Sequence, residues 1–214
     1  MTVKIYGSTK AVCPQRVMHC LFELDVDFQL VPVDLEAGQH KSPPHLAIQP
    51  FGKIPYVQDG DFGIYESRAI VRYFAEKYAE RNPGLLGRTP EQRALVDQWL
   101  YVDAINYDPH VFPIVFNLLI LPRMGLPPNP APAMESAKRL EEVLDIYEAQ
   151  LSKTKYLAGD EFTLADLTHI PATRFVLEEA GMVSLLEGRE NLKAWWVDIT
   201  SRPAWKKVMQ LLRN

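Results

Sequence analysis

Apolar positions in the first third of the chain form short alternating runs around one helical run. Val3-Lys4-Ile5-Tyr6 alternates and stops at Gly7, which predicts a strand. From Pro14 to Leu24 the apolar spacing is close to 3.6 residues, the period of a helix with Pro14 in its first turn. Phe28 to Leu35 alternates again as a second strand, with Pro32 pointing to an edge or an irregular start. Ile54–Gln58 and Gly63–Tyr65 flank Asp59-Gly60, a strong turn signal, and predict a hairpin. Ser67 to Ala79 has helical spacing.

The order strand-helix-strand, then strand-strand-helix, is a thioredoxin-like layout for residues 1–80. Proline and glycine in Arg81-Asn82-Pro83-Gly84-Leu85-Leu86-Gly87 break the pattern and predict a linker over 81–90. From Glu91 onward the spacing is helical, so 91–214 is expected to form an all-helical bundle. The fold class is therefore α/β plus all-α. A rigid extended loop interrupts the bundle at Leu126-Pro127-Pro128-Asn129-Pro130-Ala131-Pro132. Thr163-Leu164-Ala165-Asp166 reads as a capping box, with Thr163 as N-cap. Trp195-Trp196 reads as helix packing, and Arg202-Pro203-Ala204-Trp205 as a helix restart.

Composition narrows the function classes. The chain has 214 residues, 47% hydrophobic and 23% charged, with a formal net charge of −4 and both signs mixed throughout. No basic stripe favours nucleic acid, and no polybasic segment favours an anionic membrane. No apolar stretch is expected to reach the roughly 20 residues of a membrane span, and MTVKIYGSTK lacks the apolar core of a signal peptide. Cys13 and Cys20 lie two turns apart on one helix, roughly 10 Å, too far to bridge. Two free thiols point to a reducing, cytoplasmic setting. No metal-ligand pattern is seen.

The chemistry concentrates in IQPFGKIP, residues 48–55, and in Tyr65-Glu66-Ser67-Arg68-Ala69-Ile70. An X-Pro bond is the one peptide bond that turns cis at low cost. A cis Ile54-Pro55 turns the Ile54 N–H and C=O toward an extended guest. Glu66 and Ser67 fall at a helix start, where free N–H groups and the helix dipole attract a carboxylate. Together these make a socket for a small peptide. With Gly38-Gln39-His40-Lys41 upstream and Tyr156-Leu157-Ala158-Gly159-Asp160 before the capping box, the whole chain resembles the plant phi-class glutathione transferases.

The resemblance implies a glutathione-binding detoxification enzyme, with glutathione as substrate, no metal and a homodimeric assembly. It implies that His40 and Lys41, helped by Lys53, meet the glycyl carboxylate. Ile54, ahead of Pro55, would pair with the cysteinyl backbone, and Glu66 and Ser67 would hold the γ-glutamyl end. Phe51 would insert into a partner subunit. Phi-class enzymes place a thiol-activating serine five residues before the arginine of the first helix. That arginine is Arg16, so the position is held by Ala11. A lost hydrogen bond to a charged group costs roughly 1.5–3 kcal/mol. That amounts to about one to two pH units of thiol acidity, so conjugation is expected to be weak.

Three functional readings follow. The Ala11-Val12-Cys13-Pro14-Gln15-Arg16-Val17 string is similar to a phi subgroup associated with flavonoid accumulation, in which the serine is also replaced. That implies binding of a hydrophobic, flavonoid-type ligand, either beside weak turnover or as a non-catalytic carrier. Phe112, Phe116 and Ile120 share one helix face at four-residue spacing and are candidate ligand contacts, with Val12 as a facing wall. Pro113 is expected to kink that helix. Alternatively Cys13, at the opening of the first helix, is the reactive thiol of a glutathione-dependent thiol transferase or dehydroascorbate reductase, or else a small buried hydrophobe.

Overall fold

The computed structural model describes residues 2–212. Met1, Arg213 and Asn214, which the expected 1–80 and 91–214 domains include, lie outside them. The chain forms two compact units, one running up to Leu86 and resuming at Arg202, the other Gly87–Ser201.

In the first unit β1 (Val3–Gly7), α1 (Val12–Glu23) and β2 (Phe28–Pro32) are followed by α2 (Pro43–Ile48), β3 (Tyr56–Asp59), β4 (Phe62–Tyr65) and α3 (Ser67–Lys77). The sheet order is β2-β1-β3-β4. β1 runs parallel to β2 and antiparallel to β3, and β3 pairs antiparallel with β4. This mixed sheet is the thioredoxin-like layout read from the alternation. Ile5 and Val57, register partners, are fully buried, as are Leu21, Ile70 and Phe74 from the helices. β2 ends at Pro32 rather than at Leu35, because a proline cannot donate to the ladder. α1 starts at Val12, two residues early; Pro14 is its third residue, where a helical N–H still has no intrahelical partner. α2 gave no sign in the sequence, being only six residues long.

The second unit is helical. α4 (Pro90–Val102), a π-turn at Asp103–Tyr107, α5 (Asp108–Val115), a second π-turn at Phe116–Ile120 and α6 (Leu121–Arg123) follow one another without a break. Pro113 lies inside α5, between the two π-turns. By length and composition alone this run is long and apolar enough to cross a membrane, a test that core helices of soluble proteins also pass. The run also buries Asp103 and packs along α7 (Pro130–Leu151).

α8 (Leu164–Leu167) begins at the capping box: Thr163 Oγ1 accepts from Ala165 N, and Asp166 Oδ2 accepts from Thr163 N at 3.0 Å. Asp166 Oδ1 also accepts from Leu157 N at 3.0 Å and Trp195 Nε1 at 2.8 Å. Full burial pushes the Asp166 carboxyl above its ordinary value, against the pull of these donors. α9 (Ile170–Arg174) and α10 (Glu190–Thr200), which carries Trp195, complete the unit.

α11 (Pro203–Leu211) belongs with the first unit, not with the helical domain where the sequence reading placed it. The reason is α1. Arg202 donates through Nε and Nη2 to both carboxylate oxygens of Glu23, at 2.6 and 2.8 Å, and Trp205 packs on His19. Burial keeps His19 below its ordinary pKa. Burial alone would raise Glu23, but the bonds from Arg202 and His19 overcome it and bring it down to about 2.

Candidate functional site

Four segments of the first unit converge where β1 hands over to α1. Gly7 ends β1, and a β-carbon there would lie 2.9 Å from Pro14, too close without a shift, so glycine lets the helix start approach the strand end, while Pro55 would stand at an ordinary contact distance of 3.8 Å. The Ile54-Pro55 bond is cis, as the motif predicts. Phe51 stacks edge-on against Tyr65, tying the proline loop to the end of β4, just ahead of Glu66 and Ser67. The 40–41 turn joins through Lys41, whose Nζ donates to the Phe51 carbonyl at 3.1 Å. Gly52 makes room for that side chain; at φ +59°, its hypothetical β-carbon would sit 2.7 Å from Lys41 and 3.0 Å from the His40 carbonyl. His40, Lys41, Lys53, Ile54, Pro55, Glu66 and Ser67 are therefore carried by linked segments of a single unit.

Glu66 has φ +70° and ψ 106°, a backbone state that costs a non-glycine residue about 1–3 kcal/mol. It precedes the first residue of α3 with its side chain exposed and offers no side-chain cap, so the first-turn N–H groups of α3 are left to other acceptors. Ser67 is buried, and its Oγ accepts from Arg16 Nη1 at 2.7 Å. A hydroxyl already accepting from a guanidinium keeps its own hydrogen to donate to a carboxylate. His40 is half-buried, and its Nδ1 has no partner. Burial first, then the charges of Lys41 and His45, hold its imidazole below the ordinary value.

At the start of α1, Ala11 is the N-cap residue and supplies no side-chain hydrogen bond. Ser8 Oγ, the neighbouring hydroxyl, accepts from Lys10 N at 3.2 Å. Val12 is half-buried. Cys13 is half-buried too, and Arg16 Nη1 donates to its Sγ at 3.5 Å. Cys20 is fully buried, and burial pushes its thiol up. Arg16, read in the sequence only as a landmark, thus reaches both Cys13 and Ser67. His45 and Gln49 were missed altogether. The one available signal was the four-residue spacing from Gln49 to Lys53, which suits a helix-end contact.

In the second unit the Phe112 and Phe116 rings lie 5.7 Å apart, and Ile120 is half-buried one turn further on. Phe112 is 60% exposed, which core packing does not explain. In the first unit Phe51 is 62% exposed despite its contact with Tyr65. No cluster of three or more His, Cys, Asp or Glu suited to a metal occurs among the described residues.

The Glutathione S-transferase N-terminal domain family matches residues 1–76, and the Glutathione S-transferase C-terminal domain family matches residues 107–203. Glutathione S-transferase F11 of Arabidopsis thaliana is 46% identical over 211 residues, covering 99% of both chains. The crystal structure of glutathione transferase F7 from Populus trichocarpa superposes with a TM-score of 0.93 at 44% identity, covering 98% of each chain. Glutathione S-transferase I from Mais, solved in complex with an atrazine glutathione conjugate, matches with a TM-score of 0.90 at 38% identity, covering 100% of this chain and 99% of that one.

Proposed function

Because the chain belongs to the plant phi-class glutathione S-transferases, a family of enzymes that use glutathione as substrate, we propose that it binds hydrophobic, flavonoid-type ligands and conjugates electrophiles only weakly. The observation that carries this reading is Ala11 at the N-cap of α1. A methyl group donates nothing to a thiolate. The thiol of glutathione, with an ordinary pKa near 8.5, is the nucleophile only once ionised. The donors left at this end of α1 are main-chain N–H groups, a milder source of activation.

In this reading His40, Lys41 and Lys53 receive the glycyl carboxylate, Ile54 the cysteinyl backbone, and Ser67 with the first turn of α3 the γ-glutamyl carboxylate. The linked placement of these segments and the donor state of Ser67 support it. The exposed Phe112 ring, with the half-buried Phe116 ring beside it, supports a planar aromatic ligand, which face-to-face or edge contacts would hold. The relative from Mais carries an atrazine conjugate, which fits the same ligand class. The exposed Phe51 supports homodimer formation, and two unbridged cysteines support a cytoplasmic setting.

Ala11→Ser tests the missing donor. The variant should conjugate a chlorinated nitrobenzene roughly tenfold or more faster, and the pKa of bound glutathione should fall by about one to two units. No gain in rate and an unmoved pKa would refute the reading.

One observation favours a second reading, thiol transfer by Cys13. The residue is half-buried, and its sulfur accepts from the Arg16 guanidinium. Reduction of dehydroascorbate or of a mixed disulfide, abolished by Cys13→Ser, is its expected signature. Activity that survives the substitution makes Cys13 structural.

A further inference from the structure

We infer that His45 and Gln49 are positioning residues for glutathione, aiming the Ile54 N–H through the main chain of Lys53. The inference rests on the reading of this face as the glutathione site and names how that site is held.

Both side chains are polar and nearly fully buried, His45 in α2 and Gln49 just past its end. Polar groups leave water at little cost only when they are hydrogen-bonded. Here both bonds go to one loop residue. His45 Nε2 lies 2.8 Å from the Lys53 carbonyl, which can only accept, so Nε2 carries the proton. Gln49 Oε1 accepts from Lys53 N at 3.0 Å. The Lys53 side chain itself is exposed. Two side chains from one short helix region therefore grip the two main-chain groups of a residue whose own side chain they do not need.

The geometry of the peptide bond shows what that grip sets. The Lys53 C=O and the Ile54 N–H belong to one rigid planar unit and point in opposite directions when it is trans. By drawing the carbonyl toward α2, His45 turns the Ile54 N–H away from α2. Gln49 fixes the preceding plane, which contains the Lys53 N–H. Two residues earlier in the loop, Lys41 holds the Phe51 carbonyl. Without His45 the Lys53–Ile54 plane loses the contact that sets its rotation, and the main-chain donor offered to a peptide guest loses its direction.

The test uses the full chain, with glutathione titrated calorimetrically and turnover followed with a chlorinated nitrobenzene. His45→Phe keeps the ring volume and removes the donor. It should weaken glutathione binding and raise the glutathione KM roughly five- to tenfold, with kcat at saturating glutathione and the KM for the electrophile within about twofold of the starting values. His45→Gln, which keeps an N–H donor, should restore affinity to within about twofold. A folded His45→Phe protein with unchanged affinity, or equal losses in both variants, overturns the inference. Should His45→Phe fail to fold, His45→Gln decides, since it keeps the donor: near-native affinity is expected, and a tenfold loss overturns the inference. If the unsubstituted protein takes no glutathione, the reading of the site fails and this inference with it. Binding that His45→Phe does not weaken refutes this inference alone.

Discussion

Glu23→Gln removes one charge from a pair whose members stand 179 residues apart in sequence and touch through two hydrogen bonds. The Glu23 side chain is only 7% exposed and that of Arg202 29%, so water screens the pair little. The Glu23 carboxyl moves from 4.5 down to about 2 on folding. The difference of roughly 2.5 units, at about 1.4 kcal/mol each, gives about 3 kcal/mol of stability at neutral pH. A depressed carboxyl pKa contributes above its unfolded value, and the contribution fades as pH falls through its folded value. The window is therefore from about pH 4.5 down to about pH 2. At pH 3, roughly one unit above the folded value, about 1 kcal/mol should remain. Urea unfolding of the parent and of Glu23→Gln, followed by tryptophan fluorescence at pH 7 and pH 3, reads this directly. The gap between the two proteins should shrink from about 3 to about 1 kcal/mol. A gap that stays constant across the range would show that Glu23 is held by something other than its charge.

Gly52→Ala should destabilise the first unit by about 1–2 kcal/mol, because a β-carbon at positive φ is strained and here also meets Lys41 and the His40 carbonyl; thermal melting checks the stability, and calorimetry should show weaker glutathione binding. Asp166→Ala strips the acceptor from Leu157 N, Thr163 N and Trp195 Nε1 and should cost the helical unit at least about 3 kcal/mol in urea; an unaltered midpoint would mean that water replaces the carboxylate. Phe51→Asp should shift the sedimentation of the protein from dimer to monomer, and a single unchanged species would remove Phe51 from the interface.

Features written in local pattern were readable before the fold was known. The alternation in Val3–Tyr6, the Asp59-Gly60 turn, the cis-forming Ile54-Pro55 bond and the Thr163–Asp166 box each need only a few neighbouring residues to specify them. Other features have no local signature. Glu66 is not a residue type that announces positive φ; its conformation is imposed by the join between β4 and α3. The burial of His45 and Gln49 depends on where the Lys53 loop folds back, and the π-turns at Asp103–Tyr107 and Phe116–Ile120 each widen a single turn within one continuous helical run. The helical character of α11 was legible, but its attachment to α1 rests on Glu23 and Arg202, which no window of neighbouring residues can pair.

That attachment has a consequence for how the protein is made. The helical unit is an insertion within the first one, and α1 must wait for Arg202 before its Glu23 is neutralised. At ribosomal rates of 5–20 residues per second, the delay is on the order of 10–35 seconds. Throughout that time the nascent sheet and α1 stand without their closing helix, and the helical unit is synthesised before the unit around it is complete.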